Sequence, residues 1–361
     1  MSICLNFPIN SVSFGQTSIA ILREAFRAKL DCCIFPIGPV DLSAQNPDPE
    51  FEQWLHATIK ESPRKHKRSN RTLRLWHING SLESYGEQQE LLTFHEVDSC
   101  TSTEVNILNN QKIVWVTSNY TKQVMEDAGV KNVRYLDLGF DTHNFSKLNK
   151  KYYPEGTTVI GLGGKFEITR KKTPQILQAL AKEFGNRRDV IIHAAVYNTF
   201  LSKEDNEKLI NQTLGGQKYF NFNILPHMPK NAEYNDFLNS CDIFLGCSGG
   251  EGKDLPVYQA ASLGKKIVAL NAHAYKDYLS NDNAWLIEPN GKCLCYDNIF
   301  FHQGGDYNQG NFYTFNSDDM IAAIKLAISS PAKAKFEYKT YKDTYDQLMA
   351  ANTHDFAPIL V

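Results

Sequence analysis

The 361-residue sequence predicts an α/β protein of two domains, each built on a parallel sheet. Three observations predict it. The length suits two domains of ordinary size. From 157 to 270, short apolar strands alternate with helices of roughly ten residues, the signature of βαβ units. A polar stretch with Pro and Gly, SKLNKKYYPEG at about 146–156, separates that region from a first half that mixes strands and helices less regularly.

In the first half, SICLNFPI reads as a strand and 10–15 as a turn-rich loop. A helix is expected over about 16–30, with Ile19, Leu22, Phe26 and Leu30 recurring at helical spacing. CCIFPI reads as a second strand. Residues 41–71 are polar and contain Pro, so they are expected to be irregular or locally helical. Strands follow at about 73–77, in ELLTFHE, which ends near His95, and in KIVWVTS. A helix over about 119–128 is stopped by Gly129, and NVRYLDL reads as a further strand.

In the second half the strands are TTVIGL, DVIIHAAV, FNFNILP, DIFLGC and KKIVAL. The helices are expected at 174–184, 202–213, NAEYNDFLNS and LPVYQAASL, the first and last stopped by Gly185 and Gly264. The tail from about 318 to 350 reads as two helices separated near Pro331. The domains are set at 1–150 and 151–330, with 331–361 packing back on the first.

Hydrophobic residues make up 42% and charged residues 22%, as in ordinary globular proteins. The formal net charge of −2 gives no global attraction to nucleic acid or anionic membrane, so any such contact needs a local patch. Arg64, Lys65, Lys67, Arg68, Arg71 and Arg74 form the strongest charge cluster. It reads as a solvated loop or as a contact for an anionic acceptor. The eight Cys contain no C-x-x-C pair, so they read as reduced thiols and not as a zinc framework. The N-terminus lacks a basic start with an apolar run, and no run reaches the roughly 18–20 residues that span a bilayer. The expected location is cytoplasmic, with peripheral membrane contact left open.

Two loops carry the chemistry. Ser248-Gly-Gly-Glu-Gly-Lys-Asp254 lies between a strand's carboxyl end and a helix start, where ligands bind in open α/β sheets. Its glycines permit close backbone approach, and the helix N-terminus, with Pro256 in its first turn, offers N–H groups to phosphate. Glu251 can accept hydrogen bonds from sugar hydroxyls, and Gln259 lies one or two turns into the helix. The second loop, Gly161-Leu-Gly-Gly-Lys-Phe-Glu-Ile-Thr-Arg-Lys-Lys172, combines glycines with Lys165, Arg170, Lys171 and Lys172, a suitable diphosphate cradle. Each loop also admits a plain reading, as a surface turn or a solvated basic turn. A dinucleotide fingerprint from Gly161 would need Gly where Phe166 stands, and no P-loop pattern occurs, which lowers the case for a dehydrogenase or an ATPase.

These segments resemble retaining glycosyltransferases of the GT-B fold, family 4. GGKFEITRKK with PQILQAL is similar to that family's G-K-F-E-x-R-K-G segment, with one extra residue before the basic pair. GGEGKDLP with AASLG is similar to its E-G-x-x-L-P and E-A-x-A-x-G segment. VWVTSNYTKQVMEDAGV with LDLGFDTHNF is similar to the segment that closes the first domain.

The resemblance implies two Rossmann-like domains facing a central cleft. It implies transfer of a sugar from a nucleotide-diphosphate sugar to a glycan, lipid-linked or other hydroxyl acceptor, with retention and with no cofactor or metal. It implies that Lys171, Arg170 and Lys165 contact the donor diphosphate and that Glu251 holds the sugar ring. Gly250, Gly252, Lys253 and Leu255 would line the donor, His95 would face its sugar, and Gly15 would mark the first domain's loop near the reacting centre. His77 is a weaker rival to His95, and Glu96 and Asp98 are candidates for acceptor contact. The sequence departs from the family at Gln259, where a second Glu is usual, and at Lys172, where Gly is usual. A nucleotide-sugar epimerase and a non-catalytic nucleotide-sugar-binding homologue remain as alternatives.

Overall fold

The computed structural model describes residues 2–297 and 299–351. By compactness the chain divides into two units. The first comprises Met1–Phe94, Ser102–His143 and Tyr338–Val361, and the second His95–Thr101 and Asn144–Glu337. The segment His95–Thr101 therefore folds with the second unit although first-unit sequence flanks it on both sides.

In the first unit, strands β1 (Ile3–Pro8), β2 (Cys32–Ile37), β3 (Thr72–Leu75), β4 (Gln89–Thr93), β5 (Ile113–Val116) and β6 (Val133–Tyr135) form a parallel sheet in the order β2-β1-β3-β4-β5-β6. Its helices are α1 (Ser13–Arg27), α2 (Pro49–Lys65), α3 (Ser102–Asn109), α4 (Asn119–Asp127) and, from the far end of the chain, α10 (Tyr341–Ala350), which packs on α1. Residues 352–361 of the expected terminal segment lie outside the described residues.

Several details sharpen or correct the expectation here. Helix α1 begins at Ser13, so the 10–15 stretch is not a loop throughout: Gln16 N–H already donates to Val12 O at 2.8 Å. The helix ends at Arg27 because Lys29 turns left-handed (φ 50°), which leaves Leu30 beyond it. Helix α2 is a full 17 residues, started by the Asp48 carboxylate accepting from Phe51 N–H. Phe51, Leu55 and Ser62 are its buried residues, too few apolar anchors to show a strong period. Arg71 and Arg74 belong to the interior and not to a basic surface. Arg71 forks onto Glu90 and donates to Leu348 O at 2.9 Å, and Arg74 donates to Asn6 Oδ1. Arg64, Lys65, Lys67 and Arg68 are exposed.

The second unit repeats the scheme. Strands β7 (Thr158–Gly163), β8 (Val190–Ala195), β9 (Phe222–Ile224), β10 (Ile243–Gly246), β11 (Lys266–Leu270) and β12 (Ala284–Ile287) form a parallel sheet in the order β12-β11-β10-β7-β8-β9. Its strands are continuous apolar runs such as Ile243–Gly246, all buried, as a sheet covered on both faces requires. The helices are α5 (Thr173–Phe184), α6 (Lys203–Thr213), α7 (Asn231–Ser240), α8 (Leu255–Ser262) and α9 (Ser317–Ser329). An antiparallel pair, β13 (Pro289–Leu294) with β14 (Asn311–Phe315), completes the unit. Among the described residues, no helix is long and apolar enough to cross a membrane.

The sheet order places the chemistry. From β7 the chain runs outward through β8 and β9, then returns to the other side of β7 with β10. The gap between the carboxyl ends of β7 and β10 is a topological switch point, the usual ligand crevice of such sheets. In the first unit the corresponding gap lies between β1 and β3, and α1 with Gly15 follows β1 there.

Candidate functional site

Both glycine-containing loops open at the β7/β10 switch point, because β7 leads into 163–172 and β10 into 247–254. Gly249 N–H donates to Arg170 O at 2.7 Å and binds the two loops together. Tyr313 N–H donates to Gly249 O at 2.8 Å and joins β14 to the same strip. The glycines are needed for contact. A Cβ on Gly249 would lie 2.4 Å from Tyr313 O, and one on Gly250 would lie 2.2 Å from Glu96 O.

The charged side chains converge across this seam. Arg170 Nη1 lies 2.9 Å from Glu96 Oε1, 3.0 Å from Glu251 Oε1 and 3.2 Å from Gly250 O. Its Nη2 lies 3.5 Å from Glu167 Oε2. Lys171 Nζ sits 2.5 Å from Glu251 Oε1 and 3.7 Å from Asp254 Oδ2. Asp254 caps α8 by accepting from Val257 N–H, and its other oxygen accepts from Tyr275 OH at 2.6 Å. His273 Nε2 lies 2.8 Å from Ser248 O, so it donates to that carbonyl and braces the start of the loop.

Burial and the facing charges together set the protonation of the cluster. For Glu251, burial pushes the carboxyl up, but Lys171 and then Arg170 outweigh it and hold it at about 2. Glu96 goes the other way. Burial and the neighbouring Glu251 and Glu167 exceed the pull of Arg170, and its carboxyl rises to about 7. Asp254 is also raised, by burial first and by Glu251, against Lys171. Arg170 and Lys171 are depressed by burial yet raised overall by the surrounding carboxylates. Burial lowers His273 to about 4, so its ring is neutral at physiological pH.

Three non-glycine residues around the site are left-handed: Lys172 (φ 55°), Asp254 (φ 58°) and His273 (φ 39°). Such backbone costs on the order of 1–3 kcal/mol per residue and persists where surrounding contacts enforce it. Lys172 stands where the resembled family has glycine, the residue that adopts this conformation freely. Its Nζ lies 3.1 Å from Cys293 Sγ.

Arg170, Lys171 and Glu251 are thus brought together, with Gly250 and buried Gly252 beside them. Leu255 and Gln259 are half-buried, four residues apart along α8. Other sequence candidates are placed differently. Lys165 Nζ pairs with Glu167 (3.5 Å) and Asp297 (3.7 Å) and stands over the Phe300 ring. Lys253 turns its ammonium over the Tyr258 ring, 4.2 Å from the centroid, while Tyr278 OH donates to its carbonyl. His95 Nε2 lies 2.9 Å from Ser99 O, within its own segment. Gly15 is in the first turn of α1 in the first unit, where a Cβ would lie 2.2 Å from Asn10 O. Glu167, Asp254, Tyr275 and His273 were not singled out from sequence. The first two stand inside the quoted loops, whereas His273 and Tyr275 lie in a 3-10 turn, His273–Asp277, that no motif announced. Among the described residues, no group of three or more His, Cys, Asp or Glu is disposed to hold a metal.

No family model matches the chain, and no curated protein sequence does. Solved structures do match its fold. Sucrose-phosphate synthase from Thermosynechococcus elongatus is 13% identical over 97% of this chain and 94% of that one, with a TM-score of 0.62. Trehalose-6-phosphate synthase from Burkholderia multivorans is 10% identical over 97% and 98%, with a TM-score of 0.62. Anabaena HepE, solved with UDP and glucose, is 15% identical over 97% and 99%, with a TM-score of 0.58. The chain has the GT-B fold of these glycosyltransferases, two Rossmann-like units with parallel sheets.

Proposed function

We propose that the chain is a glycosyltransferase that takes its sugar from a nucleoside-diphosphate donor bound by the second unit. The observation that carries this reading is the meeting of Arg170, Lys171 and Glu251 at the β7/β10 switch point, beside the N-terminus of α8. The buried Arg170, the half-buried Lys171 and a helix N-terminus suit a diphosphate. A carboxylate held ionised beside them suits sugar hydroxyls. The GT-B fold, shared with Anabaena HepE, solved with UDP and glucose and with UDP-glucose, agrees with this.

In this reading Arg170 and Lys171 hold the diphosphate and stabilise the charge that grows on it as the glycosidic bond breaks. They and the helix end take the place of a metal. Glu251 orients the sugar, and the acceptor hydroxyl attacks on the face the diphosphate leaves, which retains the anomeric configuration. Gln259 reaches the ribose as a neutral hydrogen-bonding group. The rings of Lys253's aromatic cage fix the loop so that its backbone can approach the donor.

The test is turnover with chelator present, using UDP-, GDP- and ADP-glucose and a panel of hydroxyl acceptors, with NMR of the product's anomeric proton. An α-linked glycoside from an α-linked donor is expected. An isomerised nucleotide-sugar formed without acceptor would instead identify an epimerase. Donor binding without turnover on any acceptor would identify a non-catalytic homologue.

A further inference from the structure

The segment His95–Thr101 is fastened to the rest of the second unit at Val97, Asp98, Ser99 and Thr101. Asp98 Oδ1 accepts from Asn311 N–H at 2.7 Å, and Oδ2 lies 2.8 Å from Lys292 Nζ. Ser99 Oγ donates to Gln309 O at 2.7 Å, and Thr101 Oγ1 donates to Asp306 O at 2.6 Å. Val97 is buried with Cys295, Phe301 and Phe312. Gly250 and Gly310 admit the segment closely, since a Cβ on either would lie under 3 Å from it. The antiparallel pair β13–β14 and its connection thus serve as a clamp, and what the clamp presents to the site is Glu96.

Glu96 differs from the other acids around Arg170. Its side chain is 29% exposed, against 7% for Glu251 and 5% for Glu167. Arg170 Nη1 has two N–H groups for three acceptors: Glu96, Glu251 and Gly250 O. Gly250 O is backbone, and Glu251 is also held by Lys171. A phosphate that approaches this guanidinium from solvent therefore meets Glu96 first and draws on the same N–H groups.

We propose that Glu96 is the displaceable counter-ion of Arg170, giving up the guanidinium to the donor's diphosphate, so that the clamp on 95–101 sets donor affinity. This rests on the donor reading above. The groups facing Glu96 are Arg170, Lys171 and Glu167 from the 163–172 loop and Glu251 from the 247–254 loop. On its own segment, Asp98 is turned to Asn311 and Lys292, and His95 to Ser99 O. Together they leave the Glu96 carboxyl titrating near neutrality, so its grip on Arg170 weakens as pH falls. A nucleotide-sugar, whose diphosphate is esterified at both ends, gains affinity over the same interval.

The experiment is calorimetric titration of UDP-, GDP- and ADP-glucose at pH 6, 7 and 8 into the wild-type chain and into Glu96→Gln and Asp98→Asn, with thermal unfolding to verify each fold. If only the protonated form yields Arg170, wild-type affinity is about tenfold higher at pH 6 than at pH 8. Glu96→Gln is expected to bind at pH 8 within about twofold of the wild type at pH 6, with a flat profile. Asp98→Asn, which loosens the clamp, is expected to tighten binding at pH 8. Binding that ignores both pH and Glu96→Gln, or that weakens in that variant, overturns the proposal and leaves the donor reading standing. No binding at any pH removes both.

Discussion

Lys171 Nζ lies 2.5 Å from Glu251 Oε1, a contact that ties the loop after β7 to the loop after β10. Glu251 is buried and the Lys171 side chain is 14% exposed, so the carboxylate above all is costly to leave unpaired. Lys171→Ala is therefore expected to act twice. It removes a diphosphate contact, lowering nucleoside-diphosphate affinity by about ten- to a hundredfold. It also leaves Glu251 to Arg170 and the Ser248 hydroxyl, without its lysine. Calorimetry with the nucleotide measures the first effect and chemical denaturation the second.

Glu251 predicts an acid limb in the stability curve. Its folded carboxyl is held at about 2, below the ordinary 4.5, so its contribution is complete above about 4.5 and is lost as pH falls toward 2. The difference corresponds to about 3 kcal/mol as an upper estimate. Glu251→Gln is expected to lower stability at pH 7 and to flatten the curve between pH 4.5 and 2. Urea denaturation across that interval checks it, and an unchanged slope would remove Glu251 from the buried pair.

Gly250→Ala is expected to destabilise the chain by about 1–3 kcal/mol, the usual cost of forced overpacking. The new Cβ would stand 2.2 Å from Glu96 O and 2.8 Å from the Phe312 ring, and neither the backbone nor the buried ring yields cheaply. Thermal unfolding reads the loss, and donor titration shows whether Glu96 has been driven from Arg170.

Asp98→Ala removes the acceptor of Asn311 N–H and the partner of Lys292. The expected cost is about 1–3 kcal/mol. Hydrogen exchange locates it: the Asn311 amide should exchange faster in the variant, while amides of β7 and β10 should not.

Much of the second unit was legible in the sequence because its elements are locally consistent. The 174–184 and LPVYQAASL helices end at glycine stops, and the strands are apolar runs of the right length. The glycine spacing of the two loops located the site, since glycine at 249 and 250 answers a steric need that any side chain would violate. What stayed hidden depends on long-range contact. The β13–β14 pair reads as mixed polar sequence, because much of β13 is exposed and neither strand joins a main sheet. The family resemblance points to His95 for the donor sugar, and only the fastening of Asp98 and Ser99 fixes Glu96 as the side chain that reaches Arg170. The resemblance puts Lys253 along the donor but says nothing of its side chain, because the rings of Tyr258 and Tyr278 that receive it lie 5 and 25 residues away in sequence.

In the proposed function, Arg170, Lys171 and the α8 N-terminus form a seat for a nucleoside diphosphate. A thermal-shift series with UDP, GDP and ADP in the presence of chelator tests it most directly, because a ligand that binds only the folded chain raises its melting temperature. A rise is expected with at least one of the three, largely lost in Lys171→Ala. No rise with any of them, or a rise that Lys171→Ala leaves intact, would contradict it.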